Sequence, residues 1–250
     1  MKNPVLFIHG IGASGKVWKK FEIPRRNSYY LSFSNCFADP QSQVPELKSE
    51  IDGVLKLEKK DKVVLVCHSM GGLSARRYLI DYRSKHRVEK LILFSTPNLG
   101  SVGLSFNWFP ALMIIVGLLG FSLVWPFVLA LIGLIWEIIS YFRGVLLLSP
   151  AAWAMRPGSK FLEESNAQKL PNDIKYVVVL SDTKDLPHRL VNLFLFREGG
   201  DGAVPISSQR LSQKCVPNFS ELDYSELKTN LPHFEIPKKV DQFLLPALEL

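Results

Sequence analysis

The residues that could do chemistry begin with Ser69, set in Cys67-His68-Ser69-Met70-Gly71-Gly72 between an apolar run, Val63 to Val66, and a helical pattern, Leu73 to Tyr82. Strand, serine among small residues, then helix is the signature of a nucleophile elbow, a sharp turn that lifts a hydroxyl above a sheet. The helix N-terminus beneath it favours developing negative charge. The usual elbow has glycine two residues before the serine, and here that position is Cys67; Gly71, two residues after, is in place. The competing reading is an ordinary strand-to-helix turn that contains a serine. A serine nucleophile needs a base within hydrogen-bond reach and an acid that orients the base. Of five histidines, His9 lies in an early glycine turn, His68 inside the elbow and His86 before the next strand, while His188 and His233 come late. His188, between Pro187 and Arg189 with no strand leading to it, reads as a surface-loop residue. Three acids compete: Asp182 and Asp185 after a strong strand, and Asp201 in Gly199-Gly200-Asp201-Gly202-Ala203-Val204-Pro205. Flanking glycines let a carboxylate approach a partner closely, and any turn aspartate can instead make a local hydrogen bond. The residues alone leave Asp182 and Asp201 evenly matched.

The elements that must position these groups alternate. Pro4 to Ile8 reads as a buried strand closed by His9-Gly10-Ile11-Gly12-Ala13-Ser14, and Tyr29 to Phe33 as a second strand. Leu47, Ile51, Val54 and Leu55, with Leu57 as a further candidate, give Val44 to Lys59 the apolar stripe of an amphipathic helix. Lys62 to Val66 feeds the elbow, and Val88 to Phe94 is the next strand, ending in Ser95-Thr96-Pro97. Strands are expected again at Lys175 to Leu180 and weakly at Leu193 to Phe196, with a closing helix from about Lys238 to Leu248. The alternation predicts an α/β fold, a mostly parallel sheet with helices on both faces.

The 250-residue length suits one α/β domain carrying an insertion. Three cysteines without framework spacing fit a reducing compartment, and Met1-Lys2-Asn3-Pro4 runs into a strand without the pattern of a cleaved signal peptide. The net charge of +7 is uneven: 17 Lys and Arg against 9 Asp and Glu through Trp108, then 13 against 14. The basic residues form no arginine-rich run with interleaved aromatics, so a solvated face or one meeting anionic lipid is expected rather than nucleic acid.

Between 103 and 149 lies a stretch that a soluble core does not need. From Phe109 to Ile135 there is no charged residue, and Glu137 and Arg143 are the only charges before Arg156. If Ser69 must meet residues after position 200, both ends of the insertion emerge on one side, which excludes a single membrane crossing. Trp108 to Trp125 makes about 25 Å of helix at 1.5 Å per residue, short of the ~30 Å hydrocarbon core, and Pro126 can start a second helix. Trp108, Trp125 and Tyr141 suit an interfacial belt. Residues 1–102 and 150–250 are therefore read as one core, and 103–149 as an apolar helical hairpin that anchors the chain in a membrane or caps the site. The basic N-terminal half fits a cytoplasmic face.

The chain resembles an α/β-hydrolase of the bacterial lipase and esterase type. His9 to Ser14 is similar to the oxyanion loop of those lipases, and Cys67 to Gly72 to their elbow; some small lipases of bacilli also lack the first elbow glycine. Ser95-Thr96-Pro97-Asn98-Leu99-Gly100-Ser101 resembles the segment after the following strand, Asp201 to Pro205 with Ser207-Ser208 the acid loop, and His233-Phe234 the base loop. The resemblance covers most of the chain except the apolar insertion and Phe21 to Pro40. It implies the chain order Ser, acid, His, which selects His233 as base, and the likeness of Asp201 to Pro205 to the acid loop selects Asp201 over Asp182 as acid. It further implies backbone N–H groups of Ile11 and Met70 as the oxyanion hole, no cofactor or metal, and an acyl ester or lipid as substrate. A lipid acyltransferase or deacylase with the same triad, and a non-catalytic membrane scaffold, are the alternatives.

Overall fold

The computed structural model describes residues 2–18, 20, 23–101 and 149–249. Six strands form one sheet: β1 (Val5–Ile8), β2 (Ser28–Leu31), β3 (Val63–His68), β4 (Val88–Phe94), β5 (Lys175–Ser181) and β6 (Asp223–Thr229), in the order β2-β1-β3-β4-β5-β6. Every neighbouring pair is parallel, so among the described residues the sheet is fully rather than mostly parallel. The chain starts at β1, passes to β2 on one side, and returns to β3 on the other. The carboxyl ends of β1 and β3 thus flank the point where strand order reverses, the usual ligand crevice of such sheets.

Burial on both faces explains the unbroken apolar runs in the central strands. Leu65, Cys67, Leu91, Leu93, Val178 and Leu180 point to one face, where they meet Leu47, Ile51 and Leu55 of α1 (Val44–Glu58) and Ala75, Tyr78 and Leu79 of α2 (Met70–Asp81). The alternate residues Val64, Val66, Ile92, Phe94, Val177 and Val179 pack against Trp18 and against Val240, Leu244 and Ala247 near and within the last helix. Shorter helices α3 (Pro150–Ala154), α4 (Lys160–Asn166), α5 (Leu186–Val191) and α6 (Ile206–Gln209) follow, and α7 (Asp241–Glu249) closes the chain.

Two expectations are corrected. Leu193 to Phe196 is not a strand; Asn192–Phe196 is a π-helical turn continuing α5. A short apolar run has no period that separates strand from helix. Conversely β6 has no apolar pattern to mark it, because Asp223-Tyr224-Ser225-Glu226-Leu227-Lys228-Thr229 is mostly exposed or half-buried, as the polar edge of a sheet tends to be.

Among the described residues no helix is long and apolar enough to cross a membrane. The expected hairpin at 103–149 lies, but for its last residue, outside the described residues. Its two flanks are placed. Ser101 donates its N–H to the Met155 carbonyl (2.9 Å) and its hydroxyl to the Ala203 carbonyl (2.5 Å), while the Ala151 N–H bonds the Phe37 carbonyl (3.1 Å). Both flanks therefore lie at the carboxyl edge of the sheet, one beside the loop of Asp201 and one beside the glycine turn after β1.

Candidate active site

Ser69 stands between the end of β3 and the start of α2 with φ 54° and ψ −126°, a left-handed conformation that a non-glycine residue adopts only under constraint. Its N–H bonds the Phe94 carbonyl (2.9 Å) and its carbonyl accepts from Gly72 (3.0 Å). The glycines around it permit close approach. A Cβ on Gly71 would lie 2.5 Å from the His9 carbonyl oxygen and 2.8 Å from Ile8 Cγ2, and one on Gly72 would overlap Thr96. A Cβ on Gly10 would sit 2.9 Å from Ser69 Cβ and 3.4 Å from its Oγ, so the first glycine turn runs directly against the serine. Cys67, where elbows usually carry glycine, points into the layer under α1 and α2 and is fully buried. Burial pushes its thiol well above the ordinary value, which leaves it an inert packing residue.

Asp201 is fully buried. Its Oδ1 accepts the N–H groups of Ala203 (2.9 Å) and Val204 (2.8 Å), and its Oδ2 lies 2.7 Å from His233 Nδ1. Burial alone would raise its pKa, but the charge and N–H of His233 and the Val204 N–H hold it below the usual carboxylate value. His233 lies in a short turn, His233–Glu235, four residues after β6, and its own N–H bonds the Asp201 carbonyl (3.0 Å). A carboxylate on Nδ1 keeps the proton there and leaves Nε2 free to accept one.

The competing residues have other employment. Asp182 is exposed, and its Oδ1 accepts the Gly200 N–H (3.0 Å), bracing the loop that carries Asp201. Asp185 pairs with His188 Nδ1 at 2.6 Å on the surface. Thus Asp201 and His233 come together, and Asp182, Asp185 and His188 stay outside the pair. Ile11 packs beside Met70 in a cluster with Ala151, Met155 and Leu162, which puts the two backbone segments expected to bind an oxyanion side by side.

Several residues support the site in ways that the sequence did not mark. Gln209 Nε2 donates to the carbonyls of Ser181 (2.9 Å) and Val204 (3.0 Å), tying β5 to the acid loop. Arg76, buried on α2, donates to Asn98 Oδ1 (2.9 Å), Asn166 Oδ1 (3.0 Å) and the Cys215 carbonyl (2.8 Å), joining the elbow helix to three later segments. His9 is neutral and structural: burial lowers its pKa, Nδ1 faces the Gly10 carbonyl (2.7 Å) and Nε2 accepts the Phe33 N–H (3.1 Å).

Comparison with known proteins agrees with this architecture. The chain is similar to the mature lipase BlEst2 of Bacillus licheniformis, with a TM-score of 0.68 and 18% identity over 98% of this chain and 92% of that one. It is also similar to lipase B of Aspergillus fumigatus, with a TM-score of 0.58 and 14% identity over 94% of this chain and 49% of that one. At these identities the likeness is one of fold. A lysosomal thioesterase of Xenopus laevis, PPT2-B, is 29% identical over 112 residues, 41% of this chain and 38% of that protein; the chain thus spans about two fifths of the length of this curated relative. Residues 5–213 match the alpha/beta hydrolase family, and the chain belongs to that family.

Proposed function

We propose that this member of the alpha/beta hydrolase family is a serine esterase or lipase that hydrolyses carboxylic esters of acyl chains at a membrane surface. The observation that carries the reading is the buried 2.7 Å contact between Asp201 and His233 Nδ1, with the His233 ring against that of His68, the residue before a serine held at φ 54°. In the proposed reaction Ser69 Oγ adds to the ester carbonyl carbon while His233 Nε2 takes its proton. The carbonyl oxygen becomes an oxyanion received by the N–H groups of Ile11 and Met70, one such donor lowering the barrier by about 2.7–4 kcal/mol. The intermediate collapses, the alcohol leaves with the proton from His233, and an acyl group remains on Ser69. Water then adds with His233 again as base, releasing the acid and restoring the serine hydroxyl.

The membrane part of the proposal rests on the uncharged run from Phe109 to Ile135 and on both flanks of the insertion lying at the edge where Ser69 sits. Large apolar side chains exposed on segments of the same edge add support: Trp153, 54% exposed, on α3, and Phe234, 69% exposed, directly after His233. The thioesterase relative makes acyl thioesters the second substrate class to test. The experiment is a chain-length series of p-nitrophenyl esters and acyl thioesters, with and without lipid vesicles, on wild type and Ser69→Ala. Turnover lost in Ser69→Ala and raised by vesicles supports the whole proposal. Turnover indifferent to Ser69 rejects the enzyme, and turnover indifferent to vesicles rejects the membrane part.

A further inference from the structure

The reaction above does not use His68, yet it immediately precedes the nucleophile in sequence and lies against the base. It ends β3, directly before Ser69, and is buried. Its ring centroid is 4.6 Å from that of His233, and Trp18 meets it edge-on at 6.3 Å. Its Nε2 lies 3.0 Å from the His233 carbonyl oxygen. A carbonyl only accepts, so Nε2 carries the hydrogen and His68 is the donor. Burial, and next the charge of His233, pushes its pKa well below the ordinary histidine value, so the ring stays a neutral donor.

The base residue is therefore held at both ends of its backbone. Its N–H is fixed by the acid residue, through the Asp201 carbonyl at 3.0 Å, and its C=O by the residue beside the nucleophile. Between Thr229, where β6 ends, and α7, no sheet ladder fixes this segment.

We infer that His68 is a positioning residue: its Nε2–H, through the His233 carbonyl, sets the base loop against the elbow and so fixes the distance between His233 and Ser69. His68 and Ser69 are consecutive, so a shift of the elbow carries the base with it. A misplacement of about 1 Å at such a centre can cost about 100-fold in rate, so the effect of losing this bond is expected in kcat rather than in KM.

This inference rests on the esterase reading, and its test separates the two. His68→Met keeps the volume and removes the donor; His68→Gln keeps an N–H at the reach of Nε2. The expected result is kcat reduced about 10- to 100-fold in His68→Met with KM within about threefold of wild type, and recovery to within about fivefold in His68→Gln. Amide hydrogen exchange at His233 gives a readout independent of turnover. Its protection should fall in His68→Met and be kept in His68→Gln at equal melting temperature. Equal losses in both variants, or wild-type kcat and protection in His68→Met, would overturn the inference. If His68→Met does not fold, His68→Asn, too short to reach the carbonyl, takes its place against His68→Gln. Absence of any Ser69-dependent turnover in wild type would remove the esterase reading, while the exchange comparison would still decide whether His68 anchors the base loop.

Discussion

Replacing Asp201 by asparagine should disable the site through the tautomer of His233 rather than through loss of fold. Oδ1 of Asp201 accepts two backbone N–H groups, from Ala203 and Val204, while Oδ2 faces His233 Nδ1 at 2.7 Å. An asparagine amide has one oxygen. The two N–H groups demand it at the Oδ1 position, so the NH2 is driven toward His233. A donor there forces Nδ1 to accept, which moves the imidazole hydrogen to Nε2, the atom that must receive the proton from Ser69. The same change in a serine protease triad lowers kcat about 10⁴-fold, equivalent to about 5.4 kcal/mol of barrier. The Asp182 carboxylate makes a single described bond, from the Gly200 N–H, which an asparagine oxygen can still accept; Asp182→Asn should stay within about tenfold of wild type. Initial rates of p-nitrophenyl ester hydrolysis for the two variants, with thermal unfolding to confirm folding, decide the matter. An Asp201→Asn enzyme within tenfold of wild type, or a larger loss in Asp182→Asn, would refute the reasoning.

Other consequences are independent of that assay. The strained backbone of Ser69 costs about 1–3 kcal/mol, so Ser69→Gly should be inactive yet more stable than Ser69→Ala, which keeps the strain; a less stable glycine variant in urea unfolding would contradict this. Gly71→Ala would drive a Cβ against the His9 carbonyl and should destabilise by about 1–3 kcal/mol. Gly53→Ala, on α1 with nothing within 4 Å, should instead stabilise by about 0.4–1 kcal/mol, and the reverse order of unfolding midpoints would count against the packing described. His9 and His68 are both buried with lowered pKa values, so below about pH 6.5 the unfolded chain binds protons that the folded one refuses. Their contribution to stability is intact at neutral pH and falls as the pH drops, by at most about 1.4 kcal/mol per pH unit for each ring. Urea unfolding at pH 7.5 and 5.5 should show it, and stability that is flat or rises on acidification would oppose it.

Much of the sheet was legible because its central strands are buried on both faces, which forces runs such as Val63 to Val66 and Val88 to Phe94 to be continuously apolar. The elbow was legible because its geometry permits so few residue types, and Cys67 was a small departure since that side chain turns into the core. β6 was hidden by its edge position, and the turn Asn192–Phe196 by the shortness of its apolar run. Neither Asp182 nor Asp201 could be preferred from residue types, because flanking glycines and a preceding strand are each compatible with an acid; the resemblance of Asp201 to Pro205 to an acid loop favoured Asp201. The hydrogen bond from His68 links residues 165 apart in sequence and ends on a backbone carbonyl, which every residue has. No pattern of side chains could have announced it.

The central claim is that Ser69 is the nucleophile, and active-site labelling tests it most directly. Wild-type protein treated with a fluorophosphonate should gain one phosphonyl group, located by peptide mass spectrometry on Ser69, and folded Ser69→Ala should gain none. Equal labelling of the two proteins, or a label carried on another residue, would contradict the account.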